Sequence, residues 1–380
     1  MNQQQLSRRK FGQQILAGIG GALVGGAAAA ERAALPAGAK RPNFLFIVVD
    51  DLRPTLGCYG AALVRSPQID RLAARGVVFE RAYCQAAVCS PSRTSMLTGW
   101  RPDTTRIFDN GTHFRIHRPD AVTLPQHLRQ NGYHTLGMGK VFHSQWERAY
   151  VGRSLDDPPS WSEPAWYPDV VQFYFTEEGQ RVARQVFAQN PVCGLHQGGF
   201  CLHSRKRPGG KKKAASAVAP DDDEWKKHFV MGLVAEAPDV PDGRLYDGQL
   251  AEHAVSALQR LKANSQPFFL SVGFTRPHVP YVAPRRYWEL YNPSEITLAA
   301  NPRAPVGAPP WALLETQDND GYHDFPEEYR VDDVLARRLI HGYLACVTYT
   351  DAQIGKVLSE LDRLGLAENT VVVLTADHGY

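Results

Sequence analysis

The stretch P-N-F-L-F-I-V-V-D-D, residues 42–51, carries the strongest indication of the fold. From Phe44 to Val49 every side chain is apolar, and no polar residue interrupts the run. A strand with one face in water alternates apolar and polar residues, so an unbroken apolar run indicates a strand buried on both faces, as in a parallel sheet. The run stops at Asp50 and Asp51. We therefore expect a strand of a parallel sheet with two carboxylates at its carboxyl end.

Outward from this strand, segments with helical and strand patterns alternate. Ser66 and Pro67 are typical of a helix start, and Gly76 of a helix stop. This order predicts an α/β fold, a mostly parallel central sheet sandwiched by helices. Residues 150–240 combine Pro, Gly, Trp and charge clusters, which predicts an irregular insertion that caps or rims a site. The predicted strands are 44–49, 77–79, 268–273 and 371–374, and the predicted helices are 67–75, 91–99, 125–130, 245–261 and 333–364.

The first thirty residues have the features of an export signal. The paired arginines in S-R-R-K-F, residues 7–11, precede a weakly apolar run rich in glycine and alanine, and alanines 27–30 offer a cleavage site. This pattern is typical of a bacterial twin-arginine signal and predicts a periplasmic or secreted protein. A membrane anchor would need roughly 20 strongly apolar residues, so we expect no stable membrane insertion. The expected organisation is a signal at 1–30, a linker at 31–41 and one large domain at 42–380.

Charge and cysteine content exclude some classes of protein. The formal net charge is only +3, so no broad basic face for nucleic acid is indicated. The short basic cluster at 205–213 is typical of a solvated loop, with contact to an anionic polymer as the alternative. Six cysteines in 380 residues are too few for a disulfide scaffold. Cys193 and Cys201 could form a local bridge or remain two unpaired thiols.

Acidic residues follow both the first and the last predicted strand. Asp50 and Asp51 end the first, and Asp377 follows the last. Sites in open α/β sheets lie beyond the carboxyl ends of the strands. Three carboxylates there would repel one another unless a cation lay between them, and such an oxygen-rich site suits Ca²⁺ or Mg²⁺. Taken singly, each Asp is also compatible with a strand-end cap or a turn.

The segment C-S-P-S-R-T-S-M-L-T-G, residues 89–99, indicates an anion site. Pro91 near a helix start leaves free amides there, which favour an anion. Arg93 on the first turn adds a fork of donors suited to sulfate or phosphate oxygens. Cys89 comes just before them, where a nucleophile would be needed. A loop cysteine ahead of an ordinary helix is the alternative.

This segment resembles the signature of the sulfatase family, in which C-S-P-S-R is followed by L-T-G. From about Pro42 to Tyr380 the chain is similar to the branch that contains iduronate 2-sulfatase. The resemblance implies an alkaline-phosphatase-like fold and a sulfuric ester hydrolase that removes sulfate from a sulfated sugar or polysaccharide. The further motifs that carry it occur in the family's order: D-D-L-R-P (50–54), L-G-C-Y-G (56–60), G-K-V-F-H (139–143), R-P-H-V-P (276–280) and D-H-G (377–379).

The resemblance also implies the cofactors. A maturation enzyme would oxidise Cys89 to formylglycine, whose hydrate has two hydroxyl groups. One would attack sulfur and displace the alcohol, and deprotonation of the second would expel sulfate. Histidine is an unusual ligand for a hard cation, so His378 could instead bond the substrate or another ligand. The metal, Ca²⁺ rather than Mg²⁺, would be held by an oxygen of the modified Cys89 together with Asp50, Asp51, Asp377 and His378.

Five basic residues complete the implied site. Arg93 would stabilise the hydrate and the transferring sulfuryl group. Lys140 and His143 would bind sulfate oxygens, although without the resemblance they are compatible with an exposed basic pair after a Gly turn. His278 would protonate the leaving oxygen, with a rigid-loop residue as the alternative. Arg276 would contact an acidic substrate group.

Two departures from the family pattern lead to alternatives. Relatives of this branch have a further active-site lysine soon after D-H-G and then a smaller carboxyl-terminal subdomain, and neither occurs within residues 1–380. We therefore expect a truncated catalytic domain whose activity is uncertain. A phosphonate or phosphodiester hydrolase of the same superfamily is one alternative function. A non-catalytic binding protein is another.

Overall fold

The computed structural model describes residues 41–143, 156–168, 173–189, 231–309, 321–326 and 331–379. The predicted signal at 1–30, nearly all of the predicted linker, the basic cluster at 205–213 and the Cys193–Cys201 pair lie outside these residues. Of the predicted insertion at 150–240, only parts are described. Among the described helices, none combines the length and the apolar character needed to cross a bilayer.

The apolar run from Phe44 to Val49 forms an inner strand of a parallel sheet, as predicted. The order of the four strands in this sheet is β2-β4-β1-β6, and each neighbouring pair is parallel. β3 and β5 form a separate parallel pair. The described strands are β1 (Asn43–Val49), β2 (His134–Gly139), β3 (Ala235–Glu236), β4 (Phe268–Phe274), β5 (Tyr281–Val282) and β6 (Thr370–Ala376).

Each of the five predicted helices is present, with ends within two residues of the prediction. The helix predicted at 91–99 starts two residues earlier, at Cys89, which puts this cysteine on the first helical turn. The described α-helices are α1 (Pro67–Ala74), α2 (Cys89–Thr98), α3 (Pro102–Thr105), α4 (Leu124–Gln130), α5 (Glu177–Gln189), α6 (Tyr246–Ala263), α7 (Arg285–Trp288) and α8 (Asp333–Arg363).

Helices cover both faces of the sheet, which explains why β1 is apolar throughout. Leu45, Ile47 and Val49 belong to a core cluster with apolar side chains of α6 and α8. Phe46 and Val48 belong to a second cluster that includes side chains of α2 and α4. Burying such a side chain fully is worth about 1.5–3 kcal/mol, so both faces of β1 stabilise the fold. The predicted α/β sandwich is confirmed.

One predicted strand is wrong, and three of the described strands, β2 and the short β3 and β5, were not predicted. Residues 77–79 form no strand, and the side chains of Val77 and Phe79 are 65% and 64% exposed. The fourth strand of the sheet is β2, whose sequence H-T-L-G-M-G contains two residues that disfavour strands. Gly137 is tolerated because a Cβ there would lie 2.6 Å from the ring of Trp161, so the indole occupies the space of a side chain.

The carboxyl ends of the four strands meet at one edge of the sheet. Asp50 N–H donates to Phe274 O at 3.1 Å, and Asp377 N–H donates to Val49 O at 3.3 Å. Lys140 N–H donates to Gly273 O at 2.8 Å. These bonds extend the ladders one residue beyond the strands. The residues that follow β1, β2, β4 and β6 are thereby fixed beside one another.

Candidate active site

Asp50 is a fully buried carboxylate held by two cations. Oδ1 accepts a hydrogen bond from Arg93 Nη2 at 3.0 Å, and Oδ2 bonds Lys140 Nζ. Burial alone would raise the pKa of Asp50, but Lys140 and Arg93 outweigh it and hold the pKa well below its usual range. Asp50 is therefore ionised at neutral pH.

Asp51 is buried as well, but its carboxylate has no such partner. Among the described residues, neither of its oxygens accepts a hydrogen bond, although His378 Nε2 lies 3.3 Å from Oδ1. Burial raises the pKa of Asp51 well above its usual range, and the charges of Asp50 and Asp377 raise it further. A buried carboxylate without a donor is costly unless it is protonated or binds a cation.

The backbone of Asp51 adopts an unusual conformation that a tyrosine holds in place. Its φ is +56°, in the left-handed region that residues other than glycine rarely adopt. Tyr343 of α8 donates its hydroxyl hydrogen to Asp51 O at 2.8 Å and accepts from Arg53 N–H at 2.8 Å. This bridge fixes the backbone on both sides of the turn that follows β1. Tyr343 carries no sequence signal for this role.

Arg93 ties three strand ends together from α2. It is fully buried, and its Nε donates to Asp377 Oδ2 at 3.0 Å while Nη2 donates to Asp50. Nη1 donates to the carbonyls of Lys140 and Val141, which follow β2. Each nitrogen of the guanidinium thus donates a hydrogen bond within the protein, and its positive charge balances two of the three carboxylates.

Both carboxylate oxygens of Asp377 accept hydrogen bonds, whereas those of Asp51 accept none from the described residues. Oδ1 accepts from the backbone N–H of Asp51 at 3.2 Å and of His378 at 2.9 Å, and Oδ2 bonds Arg93. The carboxylate thus links the residues after β6 to those after β1. It lies beside the acidic cluster with fewer free lone pairs than Asp51.

The side chain of Cys89 lies beside these charged groups. Its Sγ lies 3.2 Å from His378 Nε2, 3.7 Å from Lys140 Nζ and 3.8 Å from Asp50 Oδ1. Burial raises the pKa of the Cys89 thiol well above its usual range, and the neighbouring carboxylates raise it further against the effect of Lys140. The unmodified side chain is therefore a neutral thiol, which is a poor nucleophile.

The predicted cradle of free amides at the start of α2 is wrong. Ser90 N–H donates to Asn110 Oδ1 at 2.9 Å, and Ser92 N–H donates to Val88 O at 3.0 Å. Pro91 has no N–H. These amides are used locally, so positive charge at Cys89 comes from the Lys140 side chain instead. Asn110, which holds the helix start, was not predicted, because a lone Asn in a loop has no distinctive pattern.

Two of the predicted histidines show which nitrogen carries the proton. His378 Nδ1 faces Gly379 O and His278 Nδ1 lies 2.6 Å from Val279 O. A carbonyl only accepts, so Nδ1 is the donor in both rings. In a neutral ring Nε2 is then the unprotonated nitrogen, and in His278 it lies 3.8 Å from Asp51 Oδ2.

His143 and Arg276 lie at the margins of the cluster. Burial lowers the pKa of His143 well below its usual range, and the charge of Lys140 lowers it further, so this imidazole is neutral. Arg276 is 6% exposed, and its Nη1 donates to His278 O at 2.8 Å while Nε donates to Val282 O at 3.3 Å. Its guanidinium is occupied by the backbone of its own loop, and contact with a substrate stays a prediction.

A family model described as Sulfatase matches residues 42–380. The chain belongs to the sulfatase family. Iduronate 2-sulfatase of Mus musculus is 38% identical over 350 residues and that of Homo sapiens is 37% identical over 344. Both matches cover 89% of this chain and 54% of the relative, so the chain spans about half the length of these proteins. The predicted resemblance to this branch of the sulfatases is confirmed.

Solved structures agree on the fold. Phosphonate monoester hydrolase of Agrobacterium radiobacter matches with a TM-score of 0.57 at 21% identity, over 89% of this chain and 63% of that one. The phosphonate monoester hydrolase of Silicibacter pomeroyi matches with a TM-score of 0.55 at 23% identity, with the same coverage of both chains. The predicted alkaline-phosphatase-like fold is confirmed, and at this identity the likeness concerns the fold alone.

In this member of the sulfatase family the acidic cluster fits a metal ion. Within the described part of the chain, one ligand atom each of Asp50, Asp51, Cys89 and His378 lies within 4.8 Å of the others. The unpaired carboxylate of Asp51 and the free Nε2 of His378 both point into this group. The sulfur of Cys89 is the one soft atom in it, which suits Ca²⁺ or Mg²⁺ poorly. An oxygen at position 89 would complete an oxygen-rich set.

Proposed function

We propose that this chain is the catalytic part of a sulfuric ester hydrolase that removes sulfate from a sulfated sugar or polysaccharide. The observation that carries the proposal is the convergence of Cys89 with Asp50, Asp51 and His378 at the carboxyl ends of the sheet. A buried thiol amid carboxylates is a poor nucleophile, whereas a modified residue there would be well placed.

We propose formylglycine as the modification of Cys89. The support is chemical: the raised pKa of the thiol leaves little thiolate at neutral pH, so catalysis by the cysteine itself is disfavoured. When present, the hydrated aldehyde supplies an oxygen nucleophile and a second hydroxyl for release of sulfate. Lys140 Nζ, 3.7 Å from Sγ, is placed to donate to an oxygen at this position.

We propose Ca²⁺ as the metal, held by Asp50, Asp51 and His378 with the modified residue 89, and with Asp377 beside it. Ca²⁺ tolerates varied ligand numbers and angles, whereas Mg²⁺ demands a near-octahedral set. The bound ion supplies positive charge that stabilises a developing oxyanion. Arg93 and Lys140 keep Asp50 ionised and ready to coordinate.

His278 is proposed as the general acid for the leaving alcohol. Its Nδ1–H is fixed on Val279 O, so the general acid would be the doubly protonated ring, whose second proton is on Nε2 and faces the cluster. His143, which is neutral, can donate a hydrogen bond to a sulfate oxygen without adding charge. Arg276 holds the backbone of the His278 loop, and any substrate contact would need it to leave these carbonyls.

The sulfated alcohol is assigned by class only. Relatives include a choline-sulfatase of Rhizobium meliloti at 27% identity and an N-acetylglucosamine-6-O-sulfatase of Bacteroides thetaiotaomicron at 24%. Both names denote enzymes that act on a sulfate ester, but the alcohol that carries the sulfate differs between them. We propose a carbohydrate because the more similar relatives named above are iduronate 2-sulfatases, and iduronate is a sugar acid.

The decisive experiment combines mass spectrometry with paired substrates. The protein is produced together with a formylglycine-generating enzyme, and the mass of the peptide that contains residue 89 is measured. We expect an aldehyde at 89 and hydrolysis of 4-nitrophenyl sulfate that Cys89→Ala abolishes. Faster hydrolysis of the matching phenylphosphonate would favour the phosphonate hydrolase instead. A fully modified chain that hydrolyses neither ester would refute catalysis by it.

We also propose export through the twin-arginine route and maturation before export. That route carries folded proteins, so Cys89 would be modified in the cytoplasm. Replacing Arg8 and Arg9 by Lys should retain the chain in the cytoplasm with the aldehyde present. Formylglycine found only in the exported pool would contradict this order.

A further inference from the structure

The loop that carries His278 is a tight turn that hydrogen bonds hold in place. It follows β4, and His278 N–H donates to Thr275 O at 3.0 Å to close the turn. The other end of the loop is held by Arg276, whose side chain bonds His278 O. The position of the imidazole therefore depends on where the backbone of Thr275 and Arg276 is fixed.

Asp247, on the first turn of α6, fixes that backbone. Its Oδ1 accepts from Thr275 N–H at 2.9 Å, and its Oδ2 accepts from Arg276 N–H at 2.7 Å. The side chain is 1% exposed, so both bonds are shielded from water. Thr350 of α8 donates its hydroxyl to Arg276 O at 3.1 Å. The backbone of Arg276 is thus held at its N–H by α6 and at its carbonyl by α8.

We propose that Asp247 is a positioning residue for the reaction: it sets the His278 loop so that Nε2 can reach the leaving oxygen. The inference rests on the proposed role of His278 as general acid. Both Asp247 oxygens are used by backbone amides, so the carboxylate acts through the loop. Without it, two buried N–H groups lose their acceptor, and the turn must shift to find another.

The chain contains a matched control for this clamp. Asp351 is 2% exposed and also accepts two consecutive amides, Gln68 N–H at 3.0 Å and Ile69 N–H at 2.8 Å. It holds the start of α1. Asp351→Asn therefore makes the same chemical change in a similar environment, at a carboxylate that bonds α1 and not the β4 loop, and it leaves the bond from Thr350 to Arg276 O in place.

The experiment compares leaving groups. Loss of a general acid slows esters with poor leaving groups most, because a good leaving group departs without a proton. We compare kcat/KM of Asp247→Asn, Asp351→Asn and His278→Asn for phenyl sulfate and 4-nitrophenyl sulfate. For Asp247→Asn we expect a loss of about 10- to 100-fold with phenyl sulfate, since small misplacement costs up to about 100-fold. With 4-nitrophenyl sulfate the loss should stay below about 3-fold.

Other variants separate the outcomes. Asp247→Asn should add nothing in a His278→Asn background, since both act on one proton transfer. Equal losses for both substrates with Asp247→Asn, as expected of a purely structural residue, would overturn the inference while His278 keeps its role. No leaving-group selectivity in His278→Asn would overturn the proposed general acid, and this inference with it.

NMR of the histidine rings tests the same inference without turnover, in case a variant is too slow for the kinetic assay. In protein labelled with ¹⁵N-histidine, the ring signals of His278, assigned through His278→Asn, should shift in Asp247→Asn and stay unchanged in Asp351→Asn. If Asp247→Asn does not fold, Asp247→Glu, which keeps the carboxylate but moves it by one methylene, takes its place in both assays. Unchanged ring signals in the Asp247 variant would overturn the inference.

Discussion

Replacing Arg93 by Met tests the electrostatic basis of the site. The guanidinium is fully buried and bonds carboxylates of two strands, Asp50 and Asp377, each at 3.0 Å. Methionine keeps much of the volume and removes the charge. Breaking a buried ion pair from one side costs about 3–5 kcal/mol, because a buried charge is left unpaired. Lys140 still pairs with Asp50, so the uncompensated charge falls mainly on Asp377 and we expect the lower end, about 3 kcal/mol.

Urea unfolding at 25 °C, followed by tryptophan fluorescence in EGTA, measures this loss as a change in the free energy of unfolding. Excess Ca²⁺ should restore part of it, because a cation in the cluster compensates the carboxylates. Arg181→Met is the control, since Arg181 pairs with Glu178 on the exposed surface and its removal should change nothing measurable. A free energy of unfolding for Arg93→Met within about 1 kcal/mol of wild type in EGTA would refute the reasoning.

Three further changes test other parts of the structure. Asp51→Asn should abolish the Ca²⁺-dependent rise in thermal stability, which for wild type is about 2.7 kcal/mol at 100 times Kd; an undiminished rise measured by calorimetry would contradict the assigned ligand. Gly273→Ala should cut kcat at least 10-fold with the protein still folded, since a Cβ there would lie 2.1 Å from Lys140 C and O and must displace that backbone. Burial raises the pKa of Asp351 from 3.8 to about 6, so the folded state binds this proton more tightly; its contribution to stability is complete below pH ~4 and is lost as pH rises through 6. Relative to Asp351→Asn, wild type should therefore lose up to about 3 kcal/mol of unfolding free energy between pH 4 and 7, and parallel stability curves would contradict this pKa.

Local patterns were sufficient for the elements whose signals are contained in their own residues. The unbroken run of β1 and the start and stop signals of α1 predicted these elements with ends within two residues. The strand predicted at 77–79 failed because its apolar pattern says nothing about whether a neighbour covers it. β2 was missed because its glycines weaken every local strand signal.

The candidate site divides in the same way. The sequence by itself determined that Asp50, Asp51 and Asp377 follow strand ends, because strands and the polar residues that end them are local patterns. Only the tertiary structure decided that Arg93 pairs with two of these carboxylates, that no described residue donates to the carboxylate of Asp51, and that Asp247 holds the His278 loop. Each of these contacts joins residues at least 28 positions apart, and their partners are chosen by how helices pack on the sheet, which no local pattern encodes.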